Sequence, residues 1–235
     1  MSRKPRGEFI RPTQVTLAAV LQVRDGVLQA LLWQRALDPS AGAWALPGGA
    51  LAPDETLEAS IRRHLATKVD LGEVAHLEQV ATYGDPGRNP VGWEIATAYL
   101  GLVRLGLDPS VPVDTSWHAV DDLPTTAFDH GAIIRSARDR LRGKLSYSNI
   151  GFALAPATFT LNELRDVYAA ALGYEVSATN LKRVLLRRGA IVPTGGRRDS
   201  GWAGGRPAAE FAFSQQALEI TDPFAALRPP DPCSS

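Results

Sequence analysis

Residues 49–71 read GALAPDETLEASIRRHLATKVDL. Leu57, Ile61, Leu65 and Val69 recur every four residues, the spacing of one buried helix face. Asp54 and Glu55 open the segment, and the pattern places them in the first turn, where carboxylates complement the helix dipole. Immediately upstream stands WALPGG (44–49), after a loop from Pro39 to Gly42. Farther upstream Val15, Leu17, Ala19, Leu21 and Val23 alternate with Thr16, Ala18, Val20 and Gln22, a strand pattern. Asp25-Gly26 separates that strand from a second, VLQALLWQR, which predicts a hairpin. Downstream, strands are expected at EQVATYG (78–84), from Trp93 to Val103 and around Trp117 to Val120. A helix from about His130 to Leu145 follows, with Ile133, Ile134, Ala137 and Leu141 on one side and arginines on the other.

Gly49 to Leu71 resembles the Nudix box, G-x5-E-x7-R-E-U-x-E-E-x-G-U with U aliphatic. Gly49, Glu55, Arg63, Leu65 and Leu71 match it, and WALPGG is typical of the approach to that loop. The surrounding strand order agrees with a Nudix fold over roughly residues 10 to 145. The departures carry the functional argument. The glutamate expected after the arginine is His64, the adjacent glutamates near the helix end are Thr67 and Lys68, and the box glycine is Asp70. Magnesium is a hard cation that needs oxygen ligands, and a threonine and a lysine cannot replace two carboxylates. Lys68 is expected to put a positive charge where the divalent cation would sit, or to contact a phosphate directly. His64 is expected to be an exposed helical histidine, since imidazole is a poor magnesium ligand. Arg63 is expected to preserve loop architecture. Hydrolysis, and with it any catalytic or metal site, is expected to be lost.

What remains is a pocket. Gly48 and Gly49 are expected to lead into a helix N-terminus whose N–H groups suit a pyrophosphate. The resemblance places Arg35 where substrate phosphate is often met. Trp44, Tyr83 and Trp93 are suited either to stack on a nucleobase or to fill the core. Arg88, in GDPGRNPVGW, is expected to be an exposed loop charge, with closure over a ligand as the alternative, and Asp129 to be the N-cap of the last helix of this half. The expected ligand-binding set is Arg35, Trp44, Gly48, Gly49, Glu55, Arg63, Lys68 and Trp93.

The chain has 235 residues, 45% hydrophobic and 21% charged, which fits ordinary soluble globular domains and disfavours disorder or coiled coil. No apolar run approaches the ~20 residues that span a bilayer. The basic start MSRKPRGEF has no apolar stretch behind it, so it does not read as a secretory signal. Cys233 is the sole cysteine, which excludes an intrachain disulfide or a cysteine metal site and makes a reducing, cytoplasmic compartment the expectation. A net charge of zero hides an asymmetry. Thr13 to Ile134 carries 7 Lys/Arg against 15 Asp/Glu, whereas Lys182 to Arg206 carries 7 Lys/Arg against Asp199 alone.

That basic stretch belongs to a second module. Phe159 to Ala171 predicts a helix with Leu161, Leu164, Val167 and Tyr168 inward, stopped by Gly173. A second helix starts at a Ser177 N-cap and runs to Arg188, stopped by Gly189. PTGGRRDSGWAGGRP and the strand AEFAF complete the order of a winged helix-turn-helix. At ~100° per residue, Leu181, Val184, Leu185 and Arg188 share one helix face, and Thr179, Lys182, Arg183, Leu186 and Arg187 lie largely opposite, with Asn180 at the edge. An apolar docking face backed by a basic one suits a recognition helix in the major groove. Thr179, Asn180, Lys182, Arg183 and Arg187, with Arg197, Arg198 and Arg206 on the wing, are the expected DNA-binding residues.

FTLNELRDVYAAALG, NLKRVLL and PTGGRR…GRPAAEF after a damaged Nudix box resemble the Nudix-related transcriptional regulators, the NrtR family. The resemblance implies an α+β chain, an N-terminal Nudix-like α/β/α sandwich followed by a C-terminal winged helix-turn-helix domain. It covers nearly the whole chain except the two ends, and implies a ligand-sensing domain over 12–146 and a DNA-binding domain over 147–220. Composition makes 1–11 a basic arm, and Pro223, Pro229, Pro230 and Pro232 predict a disordered Pro-rich tail over 221–235. The resemblance further implies a homodimeric repressor of NAD synthesis or salvage genes on a palindromic operator in double-stranded DNA. The effector would be ADP-ribose or another NAD-related nucleotide, with no cofactor required and no membrane partner. The helix from His130 to Leu145, followed by LSYSNI (145–150), would be the connection and hinge between the domains. Two rivals stay open: an active Nudix pyrophosphohydrolase with an accessory C-terminal domain, and a C-terminal module that binds protein.

Overall fold

A computed structural model describes residues 11–198 and 207–222. Arg206, nearly all of the 1–11 arm and the tail beyond Asp222 lie outside the described residues. The first half is one mixed sheet. β1 (Thr13–Arg24) runs through its centre, antiparallel to β2 (Val27–Gln34) and parallel to β6 (Glu94–Leu102). β3 (Trp44–Ala45) and β7 (Thr115–Ala119) pair with β2, β4 (Gly48–Ala50) pairs with β1, and β5 (His76–Tyr83) pairs with β6 at the far edge. The hairpin expected at Asp25-Gly26 is present, both residues at positive φ (50° and 75°), as a tight two-residue turn requires.

The period of two along β1 sorts its side chains between two layers. Ala18 and Val20 face α1 (Leu57–Val69) and pack with Ile61, Leu65 and Val69. Leu17, Ala19 and Leu21 face α2 (His130–Tyr147) and pack with Ile133, Ile134, Ala137 and Leu141. The result is the expected α/β/α sandwich. The start of α1 differs from expectation. Thr56 is the N-cap, its hydroxyl accepting from Ala59 N–H at 3.1 Å, so Asp54 and Glu55 precede the helix and Glu58 is the acid of its first turn.

The second half follows without a break in the apolar interior. A 3-10 turn (Ile150–Ala153), β8 (Phe159–Thr160), α3 (Leu161–Leu172), α4 (Ala178–Arg187), β9 (Ile191–Arg198) and β10 (Ala208–Phe213) form the helix-turn-helix and its three-stranded sheet, ordered β8-β10-β9. Phe152, Leu154, Phe159, Leu164 and Val167 belong to the same buried cluster as Leu21, Leu102 and Leu141. Gly173 ends α3 in the left-handed region at φ 79°, and Ser177 caps α4, both as read from the sequence.

LSYSNI spans the end of α2 and connects the two halves, with its last three residues inside the structure. Ser148, Asn149 and Ile150 are fully buried. The Asn149 side chain donates to Ala217 O (2.9 Å) and accepts from Glu219 N–H (2.7 Å), and Thr221 N–H reaches Tyr147 O (2.9 Å). Leu105 N–H donates to Leu154 O at 2.7 Å, and Arg142 donates to Ala171 O at 3.1 Å. The Asn149 and Tyr147 bonds tie the segment to the end of the second half, and the Leu105 and Arg142 bonds join the two halves beside it.

Candidate functional site

Gly48 and Gly49 do not lead into a helix N-terminus. They lie in β4, opposite Leu17 and Thr16, with the stretch from Leu51 to Thr56 between them and α1. Their small size serves close packing instead. A Cβ on Gly48 (φ +155°) would sit 2.1 Å from Thr16 O, and one on Gly49 would sit 2.7 Å from the His64 ring. The space beneath Gly49 is thus filled by His64. The expectation of an exposed histidine is corrected: His64 is 6% exposed, and its Nε2–H donates to Ala50 O at 3.0 Å. Burial holds its pKa below the ordinary value, with Arg63 and Lys68 adding repulsion.

Glu55 and Arg63 form a two-pronged pair, Nε to Oε2 at 3.0 Å and Nη2 to Oε1 at 2.5 Å. Ala52 N–H also donates to Glu55 Oε1 at 2.6 Å. With these donors, Arg63 first, the Glu55 pKa is held down at about 2. The pair braces the loop between β4 and α1. Arg63 further donates to Ala50 O (3.3 Å), and Thr67 Oγ donates back to Arg63 O (2.8 Å). Lys68 Nζ donates to Gly48 O at 2.6 Å and stands 4.7 Å from the centroid of the Trp33 ring. Burial lowers its pKa, and Arg35 and Arg63 push the same way.

Arg35 stacks on Phe128, 4.9 Å from the ring centroid, and donates to Pro39 O. Trp44 is half-buried, edge-on to His118 at 4.3 Å, so it contributes chiefly to packing. Tyr83 is likewise packed against the core, whereas Trp93 is 36% exposed and donates to Gly84 O. Arg88 corrects a second expectation. Its side chain is 2% exposed, held by both oxygens of Asp129 (2.7 and 3.0 Å) and by Glu94. Asp129 therefore stands at the N-cap position of α2 without capping it. His130 beside it is 4% exposed and accepts from Leu46 N–H through Nδ1 at 3.0 Å. Burial drives its pKa down to about 4. Trp33, Phe128 and His130 were missed from the sequence. Trp33 was recoverable, because on a strand it shares a face with Arg35 two residues on.

On the second half, α4 buries Leu181 and Leu185 and exposes Thr179, Asn180, Lys182, Arg183 and Arg187. Arg183 Nη2 donates to Asn180 Oδ1 at 2.8 Å, and Lys182 lies over Phe211 at 5.6 Å. Arg188, on the buried face, pairs with Asp222 at 2.8 Å. Arg197 is exposed on β9. Arg198 on the wing has partners inside the domain. It is bound by Glu163 (2.7 Å) and Glu210 (2.9 Å), and so ties the wing to the capped N-terminus of α3. Its side chain remains 40% exposed.

Among the described residues no helix is long and apolar enough to cross a membrane. A family model described as the NUDIX domain matches residues 13–137, and one described as the NrtR DNA-binding winged helix domain matches 151–213. The chain is 30% identical over 230 residues to the ADPR responsive transcriptional repressor NtrR of Acinetobacter baylyi, a match spanning 95% of this chain and 90% of that one. Shewanella oneidensis NrtR, in a crystal structure complexed with a 27mer DNA, is 30% identical with a TM-score of 0.72, over 91% of this chain and 95% of that one. The NUDIX domain of the same Shewanella protein, complexed with ADP ribose, is 32% identical with a TM-score of 0.51, over 59% of this chain and 94% of that one.

Proposed function

Because the chain belongs to the NrtR family, with a Nudix domain joined to the family's DNA-binding winged helix, we propose that it is a nucleotide-responsive transcriptional repressor. Residues 12–146 sense the effector and 147–220 bind the operator. The effector is ADP-ribose or a related NAD-derived nucleotide, and no cofactor is required. The targets are genes of NAD synthesis or salvage. The observation that carries this reading is the correspondence of both halves, in order, with an ADPR responsive repressor.

The local chemistry supports it. Thr179, Asn180, Lys182, Arg183 and Arg187 share the solvent face of a helix anchored by Leu181 and Leu185, and Arg197 stands on the wing. Arginine and asparagine suit bidentate contacts to base edges, and the lysine suits phosphate. On the other half, Arg35 and Lys68 gather positive charge beside Gly48, suited to a diphosphate. Glu55 and Arg63 brace the loop, and the Nudix domain does not hydrolyse its ligand.

The chain acts as a homodimer. Two winged helices double the phosphate contacts and raise the effective concentration of the second. A two-fold dimer then reads a palindrome whose half-sites lie about 10–10.5 base pairs apart, or a multiple of that. With the two halves of a protomer sharing one buried cluster and joined by the Leu105 and Arg142 bonds, ligand acts by changing how the two protomers are arranged. The protein works in the cytoplasm, on the nucleoid when bound to DNA. Light scattering and footprinting on a duplex selected in vitro test this. A dimer protecting two half-sites is expected; a monomer protecting one contradicts it.

A further inference from the structure

The Nudix fold implies a divalent cation at the glycine-to-helix unit, and the residues present do not fit one. Magnesium takes oxygen ligands in an octahedral shell and is held mainly by carboxylates. The Glu55 carboxylate and the Ala50 and Gly48 carbonyls at this unit already carry nitrogen donors. Glu55 gives its carboxylate to Arg63 and Ala52 N–H. Glu58 pairs with Arg62 on the exposed helix face. Ala50 O accepts from His64 and Arg63, and Gly48 O accepts from Lys68. Thr67 turns its hydroxyl back to Arg63 O. Among the described residues no three His, Cys, Asp or Glu side chains gather in a way that could hold a metal.

We propose that Lys68 stands in for that cation: its ammonium, seated on the Gly48 carbonyl and the face of Trp33, supplies the charge that a diphosphate would otherwise take from magnesium. The effector therefore binds without metal. Several features place the ammonium for this task. It sits at the last turn of α1 and reaches across to β4, so its position is fixed by both elements. An ammonium has three N–H donors, and one is used on Gly48 O, which leaves capacity for phosphate oxygens. The Trp33 ring holds a cation without neutralising it. Arg35 and Arg63 lie close enough to repel Lys68, and a dianionic diphosphate would relieve that repulsion on binding. With no metal to polarise phosphorus or activate water, binding is uncoupled from hydrolysis. Binding energy that an enzyme spends on turnover is then available for a conformational response.

The inference rests on the nucleotide-effector reading above, and calorimetry on the full chain separates the two. ADP-ribose is titrated into the protein in EDTA and in magnesium chloride, and inorganic pyrophosphate is titrated in parallel. The wild type is expected to bind ADP-ribose equally in both buffers. Lys68→Met, which keeps the packing on Trp33, is expected to weaken binding in both by roughly tenfold or more, the scale of one charge-assisted hydrogen bond. Lys68→Glu is expected to lose binding in EDTA and to regain part of it with magnesium. Wild-type binding that requires magnesium overturns the inference and leaves the effector reading intact, and this arm needs no variant to fold. Lys68→Met binding as tightly as wild type also overturns it. Pyrophosphate binding in EDTA that depends on Lys68, without any ADP-ribose binding, supports the cation substitution and defeats the effector reading. Failure of both ligands to bind defeats both.

Discussion

His130 predicts a pH dependence that can be worked from one hydrogen bond. Leu46 N–H donates to Nδ1, so that nitrogen must keep its lone pair and the folded imidazole is the neutral Nε2–H tautomer. Burial penalises the cation, and the pKa falls from 6.5 to about 4. Below pH 6.5 the unfolded chain takes up a proton that the folded chain refuses until about pH 4. The stabilising contribution of neutral His130 is therefore full above 6.5 and is lost as pH falls through that interval. The whole gap is worth about 3 kcal/mol, of which about 2 kcal/mol is lost by about pH 5. In a chain of this length that corresponds to roughly 4–8 °C in melting temperature. His64 and His118 are also held below their ordinary pKa, so wild type alone would mix three contributions. His130→Asn removes the titration while offering an oxygen to Leu46 N–H. Urea unfolding of both proteins from about pH 7.5 to about pH 5 should show wild type losing about 2 kcal/mol more than the variant. Parallel curves, or an NMR titration of His130 near 6.5, would refute the reasoning.

Other perturbations follow from the same geometry. Arg88→Met should leave Asp129 and Glu94 facing each other without their cation, at a cost of about 2–4 kcal/mol after allowing for their partial exposure, read by urea unfolding. A change below about 0.5 kcal/mol would mean that the clasp is ornamental. Arg183→Ala should weaken operator binding by about 1–3 kcal/mol if its guanidinium reads a base, and unchanged affinity would remove α4 from that role. Arg198→Ala should instead lower stability, since its partners are Glu163 and Glu210, with little change in the salt dependence of DNA binding. Thr67→Glu combined with Lys68→Glu should raise magnesium affinity in calorimetry; no gain would mean that this face of α1 does not line the ancestral metal position.

Elements governed by local rules were legible in the sequence. The Asp25-Gly26 turn, the Gly173 stop and the Ser177 cap each depend on residues within a few positions, and each appears where expected. The alternation of β1 and the four-residue spacing of α1 placed the sandwich. Contacts between distant segments were not legible. Nothing near Arg88 announces that Asp129, 41 residues on, will enclose it. A loop arginine ordinarily stays in water, and only the meeting of the 84–93 loop with the start of α2 buries it. His64 is buried rather than exposed for a related reason. Its position on α1 borders the buried stripe, and the absent side chain of Gly49 creates the space that draws it in. Motif spacing alone points the glycines to a helix entrance, because it does not reveal that they pair with β1 first. At the glycine-to-helix unit the sequence names Glu55, Arg63 and Lys68, while their partners Ala52 N–H, Gly48 O and Trp33 come from tertiary structure.

The central claim is that one chain couples a nucleotide to DNA. Fluorescence anisotropy of a selected palindromic duplex, titrated with the full chain with and without saturating ADP-ribose, tests it most directly. Salt-sensitive binding is expected, with an affinity that shifts with ADP-ribose by about 5-fold or more, the usual range of coupling between two sites. DNA affinity that is identical with and without ADP-ribose, while calorimetry shows the nucleotide bound, would contradict it.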